Sequence, residues 1–110
     1  MSIKLSEVLA AIRGRTPSLE VRNAAEDPLI GDVASDSRQV GEGTLFCCIR
    51  GERSDGHDYA MEARERGALA LLCERDPGVG LPAVVVPSVR DVMGDAAAAV
   101  YDRPAEKLLM

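Results

Sequence analysis

The sequence has no tryptophan, one phenylalanine, two tyrosines and one histidine among 110 residues. With aromatics at 3%, any core must be aliphatic, built from Leu, Val, Ile and Ala. A lone histidine, His57, with no Cys or His at ligand spacing, gives no metal site. Three cysteines are an odd number, so they cannot all pair within the chain; they fit a reducing compartment and read as small core residues. The longer apolar stretches, such as Leu81 to Pro87 and Ala96 to Val100, are far too short to span a bilayer. The start, Met1-Ser2-Ile3-Lys4, lacks the apolar segment of a secretory signal, so the cytoplasm is the expected location. Positive charge is in deficit: the net charge of −5 argues against a nucleic acid or an anionic membrane as partner. No Gly-rich phosphate loop ending in Lys-Ser/Thr occurs.

What is present is an ordinary globular balance, 46% hydrophobic and 28% charged. A chain of this length makes one domain, residues 1–110, able to bury roughly 60–70% of its unfolded surface. Leu5, Val8, Leu9 and Ile12 have helical spacing, with Ser6 as N-cap and Gly14 as stop. Leu19 to Arg22 is a short extended candidate within a Pro- and Gly-punctuated stretch. Asp32 to Asp36 alternates as a half-buried strand does, and Thr44 to Ile49 is a continuously apolar central strand. Cys47 and Cys48, adjacent in it, point to opposite faces and cannot easily share one metal ion. Asp58 is the expected N-cap of a second helix that Gly67 terminates. Strands at Ala68 to Cys73 and Ala83 to Val86 follow, then a helix capped by Ser88 and running to about Tyr101, broken by Pro104, and a strand start at Lys107 to Met110. This order predicts an α/β fold: a central mixed or partly parallel sheet of about four to five strands with helices packed on it.

The densest signal lies between Ser35 and Asp58. Ser35-Asp36-Ser37-Arg38, Gly43-Thr44-Leu45-Phe46 and Gly51-Glu52-Arg53-Ser54-Asp55-Gly56-His57-Asp58 set one apolar strand between two polar turns. Hydroxyls, backbone N–H groups and guanidinium forks suit a phosphate-bearing ligand. Ser37 can supply a hydroxyl and Arg53 a cation. The same residues also serve as plain turn formers that bond local backbone, and both readings stand at this point. Asp36 suits a structural role, because an acid repels a phosphate, with Arg38 as its partner. His57, beside Asp58 at a helix start, suits the ordering of a loop. No nucleophile has an adjacent base, so no catalytic residue is assigned.

In that order of residues, continuing through Glu62-Ala63, Arg66-Gly67-Ala68, Val84-Val85-Val86-Pro87 and Tyr101-x-x-Pro104, the chain resembles the N-terminal domain of Mur ligases. These are cytoplasmic, ATP-dependent amide-forming enzymes of peptidoglycan precursor synthesis. The tail from Val100 to Leu108 is most similar to the member that adds the third, diamino-acid residue to UDP-N-acetylmuramoyl-dipeptide. Alternatives are the dipeptide-adding member, or a stand-alone nucleotide-sugar-binding or interaction module. The resemblance implies a docking domain for the UDP end of the substrate, with Ser35, Ser37, Glu52, Arg53 and Ser54 as substrate-binding residues. Asp36, Arg38 and His57 would support them. It implies no cofactor here; ATP and Mg2+ belong to the parent enzyme, whose central and C-terminal domains would follow Met110. The isolated domain is therefore expected to be catalytically inactive. Two departures stand out: Leu45-Phe46-Cys47-Cys48 replaces the usual Leu-Phe-Val-Ala, with oxidation sensitivity as a consequence, and Ser35 stands where relatives often have leucine or threonine.

Overall fold

A computed structural model describes residues 2–23, 27–49 and 56–101. The run of elements is β1 (Ile3–Lys4), α1 (Leu5–Arg13), β2 (Glu20–Arg22), β3 (Leu29–Ile30), β4 (Asp32–Ala34), β5 (Thr44–Cys47), α2 (Ala60–Arg66), β6 (Ala68–Cys73), β7 (Ala83–Val85) and α3 (Val89–Tyr101). Short 3-10 turns at Ser37–Gln39 and Gly56–Tyr59 lead into β5 and α2 regions respectively. Five strands form one mixed sheet in the order β2-β7-β6-β5-β4, with β2 antiparallel to β7 and the other neighbours parallel. The pair β1 and β3, which local pattern does not announce, makes a separate two-stranded ladder.

Alternation along the central strands divides the interior in two. Leu45, Cys47, Ala70 and Leu72 join Leu5, Val8 and Ile12 of α1 and Val89, Val92, Ala96 and Val100 of α3 on one face. Phe46, Cys48, Leu71 and Cys73 join Ala60 and Ala63 of α2 on the other. The adjacent cysteines thus enter different cores, as the strand period requires. Burial pushes the thiols of Cys47 and Cys73 up to about 12, and all three cysteines are buried, reduced thiols. That burial opposes the oxidation sensitivity expected from cysteines in place of the usual Val-Ala. A β-bulge interrupts the β5–β6 ladder: Thr44 pairs with Ala68 and Leu45 with Ala70, leaving Leu69 as the extra, partly exposed residue.

Two expected caps are corrected. Helix α1 starts at Leu5 with Lys4 in the N-cap place, so Ser6 lies inside the first turn. Its backbone N–H and hydroxyl both donate to Asp27, at 2.8 and 2.6 Å, and the Leu5 N–H donates to the Pro28 carbonyl. A segment 21 residues downstream therefore satisfies donors that a local cap would otherwise serve. Asp58 sits in the 3-10 turn, and Tyr59 takes the N-cap place of α2 without a side-chain bond. Gly67 ends α2 in the left-handed region at φ +113, as the sequence indicates. At the start of α3, the Val89 N–H donates to the Glu74 carboxylate at 3.1 Å. The expected strand start at Lys107 to Met110 lies outside the described residues.

Candidate functional site

The turn Ser35-Asp36-Ser37-Arg38 leaves the carboxyl end of β4, the edge strand of the parallel part of the sheet. Open α/β sheets bind ligands beyond the carboxyl ends of their strands, where loops diverge around a crevice. An open cleft of about 660 Å³ lies at this place, lined by Ser35, Asp36, Ser37, Arg38, Ile49, Tyr59 and Glu62. The walls come from three elements: the turn after β4, the segment after β5, and the start of α2.

Local bonding fixes the turn. Asp36 accepts the Arg38 backbone N–H at 2.9 Å, while its carbonyl accepts the Gln39 N–H at 2.9 Å. The Arg38 guanidinium grips the same carboxylate, Nη2 to Oδ2 at 2.8 Å and Nε to Oδ1 at 3.1 Å. These bonds, the guanidinium first and the backbone N–H second, hold the Asp36 carboxyl down at about 2. The pairing foreseen for Asp36 and Arg38 is present, and it uses two of the five guanidinium donors. Ser37 is buried in the middle of the turn with its residue in the cleft wall.

Three cleft residues escaped the sequence reading. Ile49 is the end of the apolar run of β5. Tyr59 and Glu62 are three apart at the start of α2, a spacing that places them on one helix face. Tyr59 is 41% exposed and Glu62 pairs with Arg66 at 3.1 Å. The useful signal was the helical spacing directly after the polar signature. His57 stands apart from the cleft wall: buried, it accepts the Glu74 and Arg75 backbone N–H groups through Nε2 at 3.0 and 3.4 Å. It orders the turn after β6, a distant partner in place of the local loop that its position beside Asp58 suggests. Glu52, Arg53 and Ser54 lie outside the described residues. Among the described residues no group of three or more His, Cys, Asp or Glu is placed to hold a metal ion, and no helix is long and apolar enough to cross a membrane.

Residues 30–101 match the profile described as Mur ligase family, catalytic domain. The UDP-N-acetylmuramoyl-L-alanyl-D-glutamate--2,6-diaminopimelate ligase of Geobacillus thermodenitrificans (strain NG80-2) is 39% identical over 100 residues, 91% of this chain and 20% of its own length. The enzyme of the same name from Listeria monocytogenes serovar 1/2a is 39% identical over 106 residues, 96% of this chain and 21% of its own length. Among solved structures, MurF from Acinetobacter baumannii superposes with a TM-score of 0.74 at 20% identity, covering 90% of this chain and 21% of that one. That likeness shows the fold. MurF ligase from Thermotoga maritima in complex with ADP gives a TM-score of 0.55 at 32% identity over 59% of this chain and 15% of that one. The chain spans about one fifth of the length of the curated relatives it matches.

Proposed function

Because the chain belongs to the Mur ligase family, we propose that residues 1–110 are the N-terminal, UDP-binding domain of a ligase that adds a diamino acid to UDP-N-acetylmuramoyl-L-alanyl-D-glutamate. The observation that carries this reading is the open cleft at the carboxyl ends of β4 and β5, with Ser35 and Ser37 in its wall. The names of the relatives favour 2,6-diaminopimelate as the amine and the diamino-acid-adding reaction over the dipeptide-adding one. ATP and Mg2+ act in the central and C-terminal domains of the whole enzyme. There the D-glutamyl carboxylate becomes an acyl phosphate, and the incoming amino group attacks it with loss of phosphate.

This chain contributes binding and orientation. Ser35 and Ser37 offer hydroxyls and strand-end backbone to the uridine, Tyr59 and Ile49 give the cleft an apolar side, and Glu52, Arg53 and Ser54, which lie outside the described residues, are assigned to the same substrate. Arg53 supplies the guanidinium that a diphosphate favours. Asp36 and Glu62 are each engaged by an arginine, which lowers the repulsion an anionic ligand would meet. No residue here is assigned to bond making, and the 110-residue chain alone binds without turnover.

Titration of the ¹⁵N-labelled chain with UDP-N-acetylmuramoyl dipeptide should shift the amides of Ser35, Ser37 and Tyr59. Arg53→Ala should weaken binding roughly tenfold, the usual value of one hydrogen bond to a charged group. No shift near Ser37 at millimolar ligand would sink the reading.

A further inference from the structure

Tyr101 is 56% exposed, yet its hydroxyl reaches back 68 residues to the edge of the sheet. It accepts the Val33 backbone N–H at 2.7 Å and lies 2.9 Å from the Val33 carbonyl. The phenol also donates to the Asp32 carboxylate, which in turn accepts the Val33 N–H at 2.9 Å. Because β4 is an edge strand, one row of its backbone groups has no neighbouring strand. Val33 presents both its N–H and its carbonyl on that row, and one hydroxyl from the last residue of α3 meets both.

Val33 is two residues before Ser35, and only Ala34 intervenes. The polar turn after β4 hangs from this strand end: Ser35 follows it directly, and Ser37 is held by the short 3-10 turn. On the other side of β4 the ladder to β5 fixes the strand through Asp32, Val33 and Ala34 opposite Thr44, Leu45 and Phe46. A three-residue edge strand paired on one side alone is a weak anchor. The hydroxyl of Tyr101 anchors its second side.

We propose that Tyr101 is a positioning residue for the ligand cleft: by clasping Val33 and Asp32 it sets the height and angle of the Ser35–Ser37 turn. The ligand part of this proposal rests on the uridine-binding reading above; the structural part stands without it. The clasp also ties the place where α3 ends to the place where the cleft begins. Displacement of the chain at Tyr101 is thereby transmitted to Ser35 through one side chain and two residues of backbone.

Tyr101→Phe keeps the ring and removes only the hydroxyl. Amide hydrogen exchange in the ligand-free 110-residue chain should accelerate at Val33 through Arg38, roughly fivefold, the factor one net hydrogen bond is worth, with β6 amides unchanged. UDP affinity should fall by a similar roughly fivefold factor. Uniform acceleration across all strands, or an unchanged turn, would overturn the proposal, as would a loosened turn with unaltered UDP affinity. If the unsubstituted chain itself fails to bind UDP, the uridine reading falls, and the exchange pattern alone decides the positioning role. Should Tyr101→Phe unfold the chain, Asp32→Ala tests the same clasp from its exposed end. It should give the same local pattern, and its absence would overturn the proposal.

Discussion

An unpaired carboxylate beside a diphosphate raises the cost of binding, and Asp36 stands in the wall of the cleft. Its pairing with Arg38 would remove that cost for the proposed ligand, and it has a pH signature. The folded carboxyl titrates at about 2, below the value of about 4 for an unfolded aspartate. A depressed value means stability that is present above about 4 and lost as pH falls toward about 2. In a carboxyl ¹³C titration, Asp36 should titrate near 2, and Arg38→Ala should move it most of the way to about 4. An unmoved value in that variant would assign the depression to other groups. The pairing was legible from two residues of separation. The partners of Ser6 and His57 were not, because Asp27 and Glu74 approach only after the chain has folded. Local pattern carries capping propensity; it cannot say which distant group will outcompete the local cap.

At the scale of elements, the passage from α2 to β6 is held most tightly. Gly67 takes φ +113, and a Cβ there would lie 2.8 Å from the Glu42 Cα and 2.9 Å from the Glu42 nitrogen. Its carbonyl accepts the Gly43 N–H at 3.1 Å, and the Gly43 carbonyl accepts the Gly31 N–H at 2.9 Å. Three strand starts are thus stitched together at the end of the sheet opposite the cleft. Gly67→Ala should destabilise the chain by about 2–4 kcal/mol, from the left-handed backbone and the forced retreat of the Glu42 backbone. Chemical denaturation measures this, and a loss under about 1 kcal/mol, below the left-handed penalty for a residue with a Cβ, would show that the loop yields freely. Helix stop signals and the runs at Thr44 to Ile49 and Ala68 to Cys73 were readable, since spacing and glycine chemistry are local. The β1–β3 pair was not, because two-residue strands have no period to read.

For the molecule as a whole, a sheet with helices on both faces leaves two dry cores, and each holds at least one thiol. With burial pushing Cys47 and Cys73 up to about 12, alkylation at neutral pH should wait for opening of the fold. Iodoacetamide labelling should follow global unfolding across a denaturant series; rapid labelling in the absence of denaturant would contradict the packed interior. The mixed sheet was foreseeable from the order of strands and helices, and so was the Ser35–Arg38 wall of the cleft, whereas its other wall was not. Ile49 follows β5 whereas Tyr59 and Glu62 open α2, and the parallel register of β4 and β5 brings the turn after β4 to the same edge.

That register includes the unmatched Leu69, and it bears on how the chain tolerates changes in length. Faces alternate regularly from Ala68 to Ala70 onward once Leu69 is left out of the count. Loss of this one residue would leave Leu71 and Leu72 in their own cores, whereas loss of any residue from Ala70 to Leu72 would exchange the faces of the residues on one side of the gap. Within β6, Leu69 is the position where a codon can be dropped without turning the sheet inside out.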